Sequence, residues 1–226
     1  NDRGDIFLLG IISGPTNFDP GNSNFMLSSN GGTDIFILKL NSLGSFIWAK
    51  SFGGSTHDFP GDFTISDNGF FYIAGGFVNT VDFDPGIGVF NLSSNGSSDI
   101  FILKLDSNGS FVWAKSAGSA SNDNGRNIVI HPDGDLVLFA LFSDSVDFNF
   151  DTTNTFLSSN GITDVAVVKY SSNGNLIWAR SIGNSNSNWI EDADVSPNGG
   201  IYFTGYFTDT LDLDPGSNSH LVNSNN

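Results

Sequence analysis

The segment DIFILKLDSNGSFVWAKSAG at residues 99–118 recurs along the chain and decides the fold. Two further copies occupy residues 34–53 and 164–183. Trp48, Trp113 and Trp178 mark the same position in each copy and lie 65 residues apart, so the register contains no insertion or deletion. A self-similar period of this length indicates one supersecondary unit that is stacked several times.

Each repeat is predicted to contain four strands in two hairpins. Asn68 and Gly69 sit between two hydrophobic runs, where an Asn-Gly step supplies the positive φ that a tight turn needs. A longer connection at residues 78–98 then joins the first hairpin to the second. Each repeat is therefore expected to be a four-stranded antiparallel meander. In the second repeat the predicted strands are residues 62–66, 70–77, 99–105 and 110–116.

The third strand of the repeat carries apolar residues on both of its sides, as in the run Ile-Phe-Ile-Leu at residues 100–103. A sheet built from such strands needs cover on both faces, which the radial packing of β-propeller blades provides. The fold is thus predicted to be all-β, a partial β-propeller of about three and a half four-stranded blades.

The whole chain, residues 1–226, is expected to form one repeat array. Both ends fall inside a repeat, since Asp2 aligns with Asp67 and Asn226 aligns with Gly161. Closed propellers have roughly 4–8 blades, so further blades of the same polypeptide or strands of a second chain are expected to complete the ring. The repeat units are residues 1–65, 66–130, 131–195 and 196–226.

The composition limits the partners that the chain can bind. A formal net charge of −16 repels the phosphates of nucleic acids and anionic membrane surfaces, and is compatible with cations, carbohydrates or basic protein patches. No run of about 18 apolar residues is present, so membrane insertion is not expected. Cysteine is absent, which excludes disulfides, thiol chemistry and cysteine-based metal sites.

Several motifs resemble a known repeat family. They are the run Asp-Ile-Phe-Ile-Leu-Lys-Leu-Asp-x-x-Gly-x-x-x-Trp, the pair Gly53 and Gly54, and the segment DGDLVL at residues 133–138. Together they resemble the seven-bladed β-propeller repeats, known as SBBP repeats, of secreted surface proteins from Bacteroidetes-like bacteria. The order of the strands is also similar to propeller repeats of the NHL and pyrroloquinoline-quinone types. The SBBP resemblance implies a secreted or cell-surface protein without catalysis.

The predicted function is a non-enzymatic extracellular or cell-surface scaffold for binding or adhesion, with a glycan or a protein as ligand. Nucleophile and phosphate-binding motifs are missing from the sequence. The alternative is a glycan-active hydrolase or lyase whose catalytic carboxylates lie on long loops or on further blades. Asp192 and Asp194 offer such a carboxylate pair.

The long connection contains a second repeated motif, Asp-x-Asp-Pro-Gly. Asp82 with Asp84, and Asp212 with Asp214, could point to one side of the chain and bind Ca²⁺ through oxygen. The other interpretation is a simple turn, with Asp at its first position and Pro pre-set at its second. The turn is favoured because the distal bidentate Glu of calcium loops is absent. No other cofactor is predicted.

An aromatic residue out of phase with the repeated tryptophans marks a candidate ligand site. Trp189 aligns with Phe59 and Asn124 in the predicted inter-blade loop, where an aromatic ring could stack on a sugar or on a partner side chain. His57 and Asp58 directly precede Phe59 and belong to the same candidate site. A structural role in capping the loop is the alternative.

The remaining periodic residues are predicted to be structural. Trp48, Trp113 and Trp178 recur in strict phase, so each is expected to be buried against the neighbouring blade. The periodic basic residues are expected to protect strand edges and to pair with nearby aspartates. They are Lys39, Lys104 and Lys169 on the third strands and Lys50, Lys115 and Arg180 on the fourth.

Overall fold

The computed structural model of the chain describes residues 4–21, 23–151 and 153–224, and these residues form strands, turns and irregular segments without a helix. The alignments of Asp2 and Asn226 lie outside the described residues. The strands are β1 Ile6–Ile12, β2 Thr16–Asn17, β3 Met26–Leu27, β4 Asp34–Leu40, β5 Phe46–Gly54, β6 Phe59–Ile65, β7 Phe71–Phe77, β8 Thr80–Asp82, β9 Asn91–Ser93, β10 Asp99–Leu105, β11 Phe111–Ala117, β12 Asn124–Ile130, β13 Leu136–Phe142, β14 Ser145–Asp147, β15 Phe156–Ser158, β16 Asp164–Tyr170, β17 Leu176–Ile182, β18 Trp189–Val195, β19 Ile201–Tyr206, β20 Thr210–Asp212 and β21 Leu221–Asn223.

The sheets are the blades of a partial β-propeller. Two complete four-stranded antiparallel blades have the orders β6-β7-β10-β11 and β12-β13-β16-β17. Strands β1, β4 and β5 belong to a blade before them, and β18 pairs with β19 in a blade after them. The first strands of neighbouring blades pack closely, since a Cβ on Gly61 of β6 would lie 2.1 Å from the carbonyl oxygen of Gly125 in β12. The predicted fold class is confirmed.

The first strand of the second blade, β6, has different bounds from the predicted residues 62–66. The first strand of the second blade begins at Phe59, three residues before the predicted start at Asp62. A β-bulge between Pro60 and Asp62 lets the pairing with β7 continue beyond the point where the apolar pattern fails. Phe59 and Trp189 are therefore the first residues of β6 and β18, and not inter-blade loop residues.

The long connection contains a small hairpin that the sequence did not predict. In the second blade, β8 pairs with β9, and β8 also pairs with β5 of the preceding blade through Gly53 and Asp82. The ring of Phe90 lies 4.8 Å from the ring of Phe111, at the start of the outermost strand β11. The hairpin therefore folds back along the outer side of the blade. We call the four copies, β2–β3, β8–β9, β14–β15 and β20–β21, the rim hairpins.

The apolar core lies between blades. Ile102 of the second blade and Ile128 and Leu138 of the third are buried in one cluster, as radial packing requires. Between the first and second blades the core is aromatic: the ring of Phe83 in a rim hairpin lies 5.0 Å from the ring of Phe101. The rim hairpins thus contribute core side chains and are anchored to the blades.

The repeated tryptophans pack against the next blade, as predicted, but they are half-buried. Trp48 lies beside the turn at Gly109, where an added Cβ would be 3.3 Å from its ring, and Trp113 lies in the same way beside Gly174. Trp178 packs against the cluster that contains Ile190 of β18. These contacts support a structural role for the tryptophans.

The periodic basic residues only partly follow the predicted pairing with aspartates. Lys39 pairs with Asp5 at 3.2 Å. In contrast, the Lys104 ammonium donates to the carbonyl oxygen of Ser172 in the next blade at 3.0 Å and lies 4.5 Å from the centre of the Phe70 ring. The prediction of ion pairing is wrong for Lys104, because its nearest strong acceptor is a backbone carbonyl of the neighbouring turn.

Candidate functional site

The antiparallel order gives the blades two different ends. The tight turns after β6 and β10 emerge at one end, which we call the turn end. The connections after β7 and β11 emerge at the opposite end, where β6 and β18 begin with Phe59 and Trp189. The rim hairpins start at this opposite end and then run along the outer side.

Trp189 lies in an aromatic and cationic contact. Its ring is nearly parallel to that of Tyr206, with 6.1 Å between ring centroids and 12° between planes. The guanidinium carbon of Arg126, on the neighbouring inner strand β12, lies 4.9 Å from the centroid of Trp189. Such contacts stabilise an aromatic ring that is half-buried, as Trp189 is. They favour the packing alternative for Trp189, and ligand stacking there stays a prediction.

The other three candidate ligand residues are not gathered around Trp189. Phe59 is exposed at the equivalent position of β6, and the inner strand β12 separates it from β18. His57 Nδ1 lies 3.2 Å from Thr33 Oγ1. Asp58 is buried, and its Oδ2 accepts a hydrogen bond of 2.8 Å from the backbone of Gly54. Of the four candidates, His57 and Phe59 are exposed, Trp189 is half-buried, and Asp58 is the one that presents no side chain to a ligand.

The Asp-x-Asp-Pro-Gly motifs form hydrogen-bonded turns. Asp82 Oδ1 accepts the backbone N–H of Asp84 at 3.0 Å and that of Phe90 at 2.8 Å. Asp84 Oδ1 accepts the N–H of Gly86 at 2.8 Å. These bonds give the turn interpretation a physical basis, because carboxylate acceptors fix the loop in the way of Asx turns.

The fourth copy repeats this pattern. Asp212 Oδ1 accepts the N–H groups of His220 and Asp214, and these bonds hold the pKa of Asp212 below its ordinary value. Within residues 4–21, 23–151 and 153–224, no three His, Cys, Asp or Glu side chains are grouped to hold a metal ion. Calcium binding through a carboxylate pair stays a prediction.

Clefts open at two places on the described surface, at the turn end and beside β19. One of about 790 Å³ lies at the turn end between β1 and β6, and is lined by Phe7, Lys39 and Asp67. Two others, of about 520 and 470 Å³, lie beside β19 and share Ile201 and Phe203 as lining residues. The two clefts beside β19 are present because the sheet of β18 and β19 is incompletely covered.

Each of the four rim hairpins carries exposed apolar side chains, although not all at the same repeat positions. In the second blade Ile87 is fully exposed and Val89 is 72% exposed. The equivalents of Val89 in the other repeats are polar, Asn24, Asn154 and Ser219. Single exposed apolar residues are common on proteins, whereas several on one hairpin make it a candidate interaction surface. The exposed apolar residues of the other rim hairpins are Phe25, Met26, Phe156, Leu213 and Leu221.

Comparison with known proteins supports the propeller. No protein-family model matches the chain. The chain is similar to an uncharacterized WD repeat-containing protein of Acanthamoeba polyphaga mimivirus, with 30% identity over 159 residues. This chain is a β-propeller repeat array. The match covers 65% of the array and 11% of the viral protein. It does not single out the SBBP family, and membership of that family stays a prediction.

The described part of the array contains no helix long and apolar enough to cross a bilayer.

Sequence reasoning missed two sets of residues that the structure brings together. Arg126 of β12 contacts Trp189 of β18 in the next blade, and no sequence pattern marks that pair. Asp34, Asp99 and Asp164 are buried at the starts of β4, β10 and β16. Their exact-phase recurrence next to an apolar strand was a signal that could have found them.

Proposed function

We propose that the array is part of a non-enzymatic β-propeller scaffold that binds a protein partner through its rim hairpins. The observation that carries the proposal is that all four rim hairpins bear exposed apolar side chains, of which Ile87 and Val89 of the second blade are the most exposed pair. Apolar residues at a surface contribute binding energy when a partner removes them from water. Similarity to a WD repeat-containing protein supports a scaffold role.

Charge narrows the chemistry of the partner. Each exposed apolar set lies close in sequence to acidic turn residues, as Ile87 does to Asp82 and Asp84. With a net charge of −16 on the chain, a partner with basic residues around an apolar centre would associate faster and more selectively. The proposed partner is therefore a basic protein surface or peptide.

The test is a selection of displayed peptides on the purified chain. Clones enriched on the natural chain should carry basic and apolar residues. Their affinity should fall at least about tenfold for the double variant Ile87→Ser and Val89→Ser, a loss of about 1.4 kcal/mol. The matched control is Leu43→Ser, because Leu43 is 88% exposed but lies in a turn at the turn end. Equal binding to both variants would contradict the rim as the binding surface.

A glycan ligand is a second candidate, favoured by the exposed ring of Phe59 and the half-buried ring of Trp189. A glycan array probed with the natural chain and with Phe59→Ala tests it, and the loss of a reproducible signal in Phe59→Ala would support this ligand class. A secreted or cell-surface location belongs to the same proposal, and it rests on the family resemblance of the repeats.

A further inference from the structure

Three buried side-chain pairs recur where neighbouring blades meet. We call them the seam pairs: Asp34 with Asp58, Asp99 with Asp123, and Asp164 with Asn188. All six side chains are at most 2% exposed. The backbone geometry is the same in each pair, because the N–H of the second residue donates to the carbonyl of the residue before the first. These bonds are Asp58 to Thr33 at 2.9 Å, Asp123 to Ser98 at 2.8 Å and Asn188 to Thr163 at 2.8 Å.

The third seam pair joins its two side chains by a hydrogen bond. Asn188 Nδ2 donates a hydrogen bond of 3.3 Å to Asp164 Oδ1. The pair therefore contains one carboxylate, one amide donor and a single negative charge.

The first two seam pairs place a second aspartate where the third has Asn188. Asp34 Oδ1 and Asp99 Oδ1 are buried and have no hydrogen-bond partner in the structure. Their equivalent, Asp164 Oδ1, receives the amide of Asn188. An orphaned, buried acceptor beside a second carboxylate lacks the donor that the third seam pair contains.

The second aspartate of each pair is already surrounded by donors. Asp123 Oδ2 accepts the backbone N–H of Ser119 at 2.6 Å and its hydroxyl at 2.8 Å, and Asp123 Oδ1 accepts the N–H of Ser143 at 2.8 Å. These donors favour the ionised form of Asp123. Asp99 has one such donor, since its Oδ2 accepts the N–H of Asn95 at 3.0 Å, and its buried Oδ1 has none. Asp99 is therefore the member of this pair that can hold a proton.

Electrostatics favours one proton in each of the first two seam pairs. Burial raises the pKa of Asp34, Asp58, Asp99 and Asp123 above the ordinary range. The charge of Asp123 raises the pKa of Asp99 further, and the charge of Asp34 raises that of Asp58. Two buried like charges without a cation are strongly unfavourable, and a buried carboxyl group then takes up a proton. The other titratable groups nearby are His57 beside Asp58, and Asp144 beside Asp123. Among the described residues, no lysine or arginine forms an ion pair with a seam aspartate.

We propose that each of the first two seam pairs holds one solvent-derived proton at neutral pH, on Oδ1 of Asp99 in the second pair, and that this proton forms a hydrogen bond between the two carboxyl groups. Each of the three seams then contains one donor and one negative charge. In the first two seams a protonated aspartate donates the hydrogen bond that the amide of Asn188 donates in the third. The seams are proton-binding sites, and blade packing depends on pH through them.

The sign of the pH dependence follows from proton uptake on folding. In the unfolded chain an aspartate has a pKa of about 3.9 and releases its proton above that pH. The folded seam keeps the proton, so the native state binds more protons than the unfolded state. The stability that each seam proton contributes is therefore fully present below the unfolded pKa, and it is lost as the pH rises from that value to the raised native pKa. Each seam proton changes the unfolding constant by up to tenfold per pH unit.

The second seam gives the cleanest test, because Asn122 replaces the histidine found at His57. Urea unfolding midpoints of the whole chain between pH 4 and pH 9 are compared for the natural protein, Asp99→Asn and Asn188→Asp. We expect Asp99→Asn to weaken the decline of stability with pH, by up to a factor of ten in the unfolding constant per pH unit. Asn188→Asp should steepen it by a similar factor, because it creates a third acid pair. Asp67→Asn, in an exposed turn, should leave the slope unchanged.

The same measurements contain the outcomes that overturn the proposal. Equal slopes for the natural chain and Asn188→Asp would show that an acid pair in a seam binds no proton, and this comparison holds even if Asp99→Asn does not fold. A midpoint at neutral pH that rises in millimolar CaCl₂ for the natural chain, but not for Asp99→Asn, would show that a cation and not a proton occupies the seam.

Discussion

The Lys115 ammonium donates a hydrogen bond of 3.1 Å to the carbonyl oxygen of Gly174, in the tight turn of the next blade. Gly174 has a φ of 78°, and a Cβ there would lie 3.0 Å from Lys115 Cδ and 3.3 Å from Trp113. The outermost strand of one blade thus holds the turn of the following blade. The contact recurs between Trp48 and Gly109, so it belongs to the repeat and sets the spacing of blades.

The contact at Gly174 predicts a difference between equivalent glycines. Gly44 occupies the same turn position in the first blade with a φ of 77°, but no atom lies within 4 Å of an added Cβ. Gly44→Ala should cost about 1 kcal/mol for the left-handed backbone alone. Gly174→Ala should cost about 1–2 kcal/mol more, because its methyl group is forced against Lys115 and Trp113. Urea unfolding with unchanged m-values measures both, and equal losses would contradict the inter-blade contact.

Replacing either of two lysines at the same repeat position, Lys169 and Lys104, should cost stability with a different dependence on pH. Lys169 pairs with Asp133 at 2.5 Å and with Asp135 at 3.2 Å. Partial burial acts to raise the pKa of Asp133, but the hydrogen bond from Lys169 outweighs it and holds that pKa well below the ordinary range. A carboxylate with a lowered pKa stabilises the fold above its unfolded pKa of about 3.9, and this stabilisation is lost as the pH falls further.

Lys169→Met should therefore cost at most about 1 kcal/mol at pH 7, because Asp133 is 46% exposed and solvent screens the pair. The cost should shrink at about pH 2, where the unfolded chain is protonated and the native pair is titrating. Lys104→Met is the matched control, since Lys104 binds a carbonyl oxygen and lies over Phe70. A thermal unfolding series in which both variants show the same pH profile would contradict the ion pair.

The Asp-x-Asp-Pro-Gly motif is expected to act as a turn. Asp82→Ala removes the acceptor of two backbone N–H groups and should cost about 1–2 kcal/mol with or without calcium. The measurement is the melting temperature in EDTA and in millimolar CaCl₂. If calcium raises the melting temperature of the natural chain and Asp82→Ala abolishes that rise, the motif is a metal site.

How much the sequence predicted depended on the kind of signal. The 65-residue period and the third strand at Asp99–Leu105 were correct, because an uninterrupted apolar strand bounded by turns leaves few alternatives. The start of the first strand was missed because a bulge at Pro60 breaks the alternation on which strand prediction depends. The rim hairpins were missed because their strands have only two or three residues, too few for a period.

Side-chain partners were harder to predict than strands. Lys104 finds its acceptor in a turn 68 residues away, and Arg126 finds Trp189 in the next blade. Such pairs depend on how blades face each other, which one sequence does not state. The buried aspartates of the seams are an intermediate case, because their phase was visible but their burial was not.

The last prediction concerns the uncovered side of β19. The equivalent strands β7 and β13 are buried along their whole length and pair on both sides, whereas among the described residues β19 pairs only with β18. Tyr202 and Tyr206 are 62% and 57% exposed, and an unpaired strand of this kind is a template for another strand. We expect residues 1–226 to self-associate, and Tyr202→Lys with Phe203→Lys to remove the association while Leu43→Lys does not. Sedimentation equilibrium measures the mass, and a compact monomer of the natural chain would contradict the prediction.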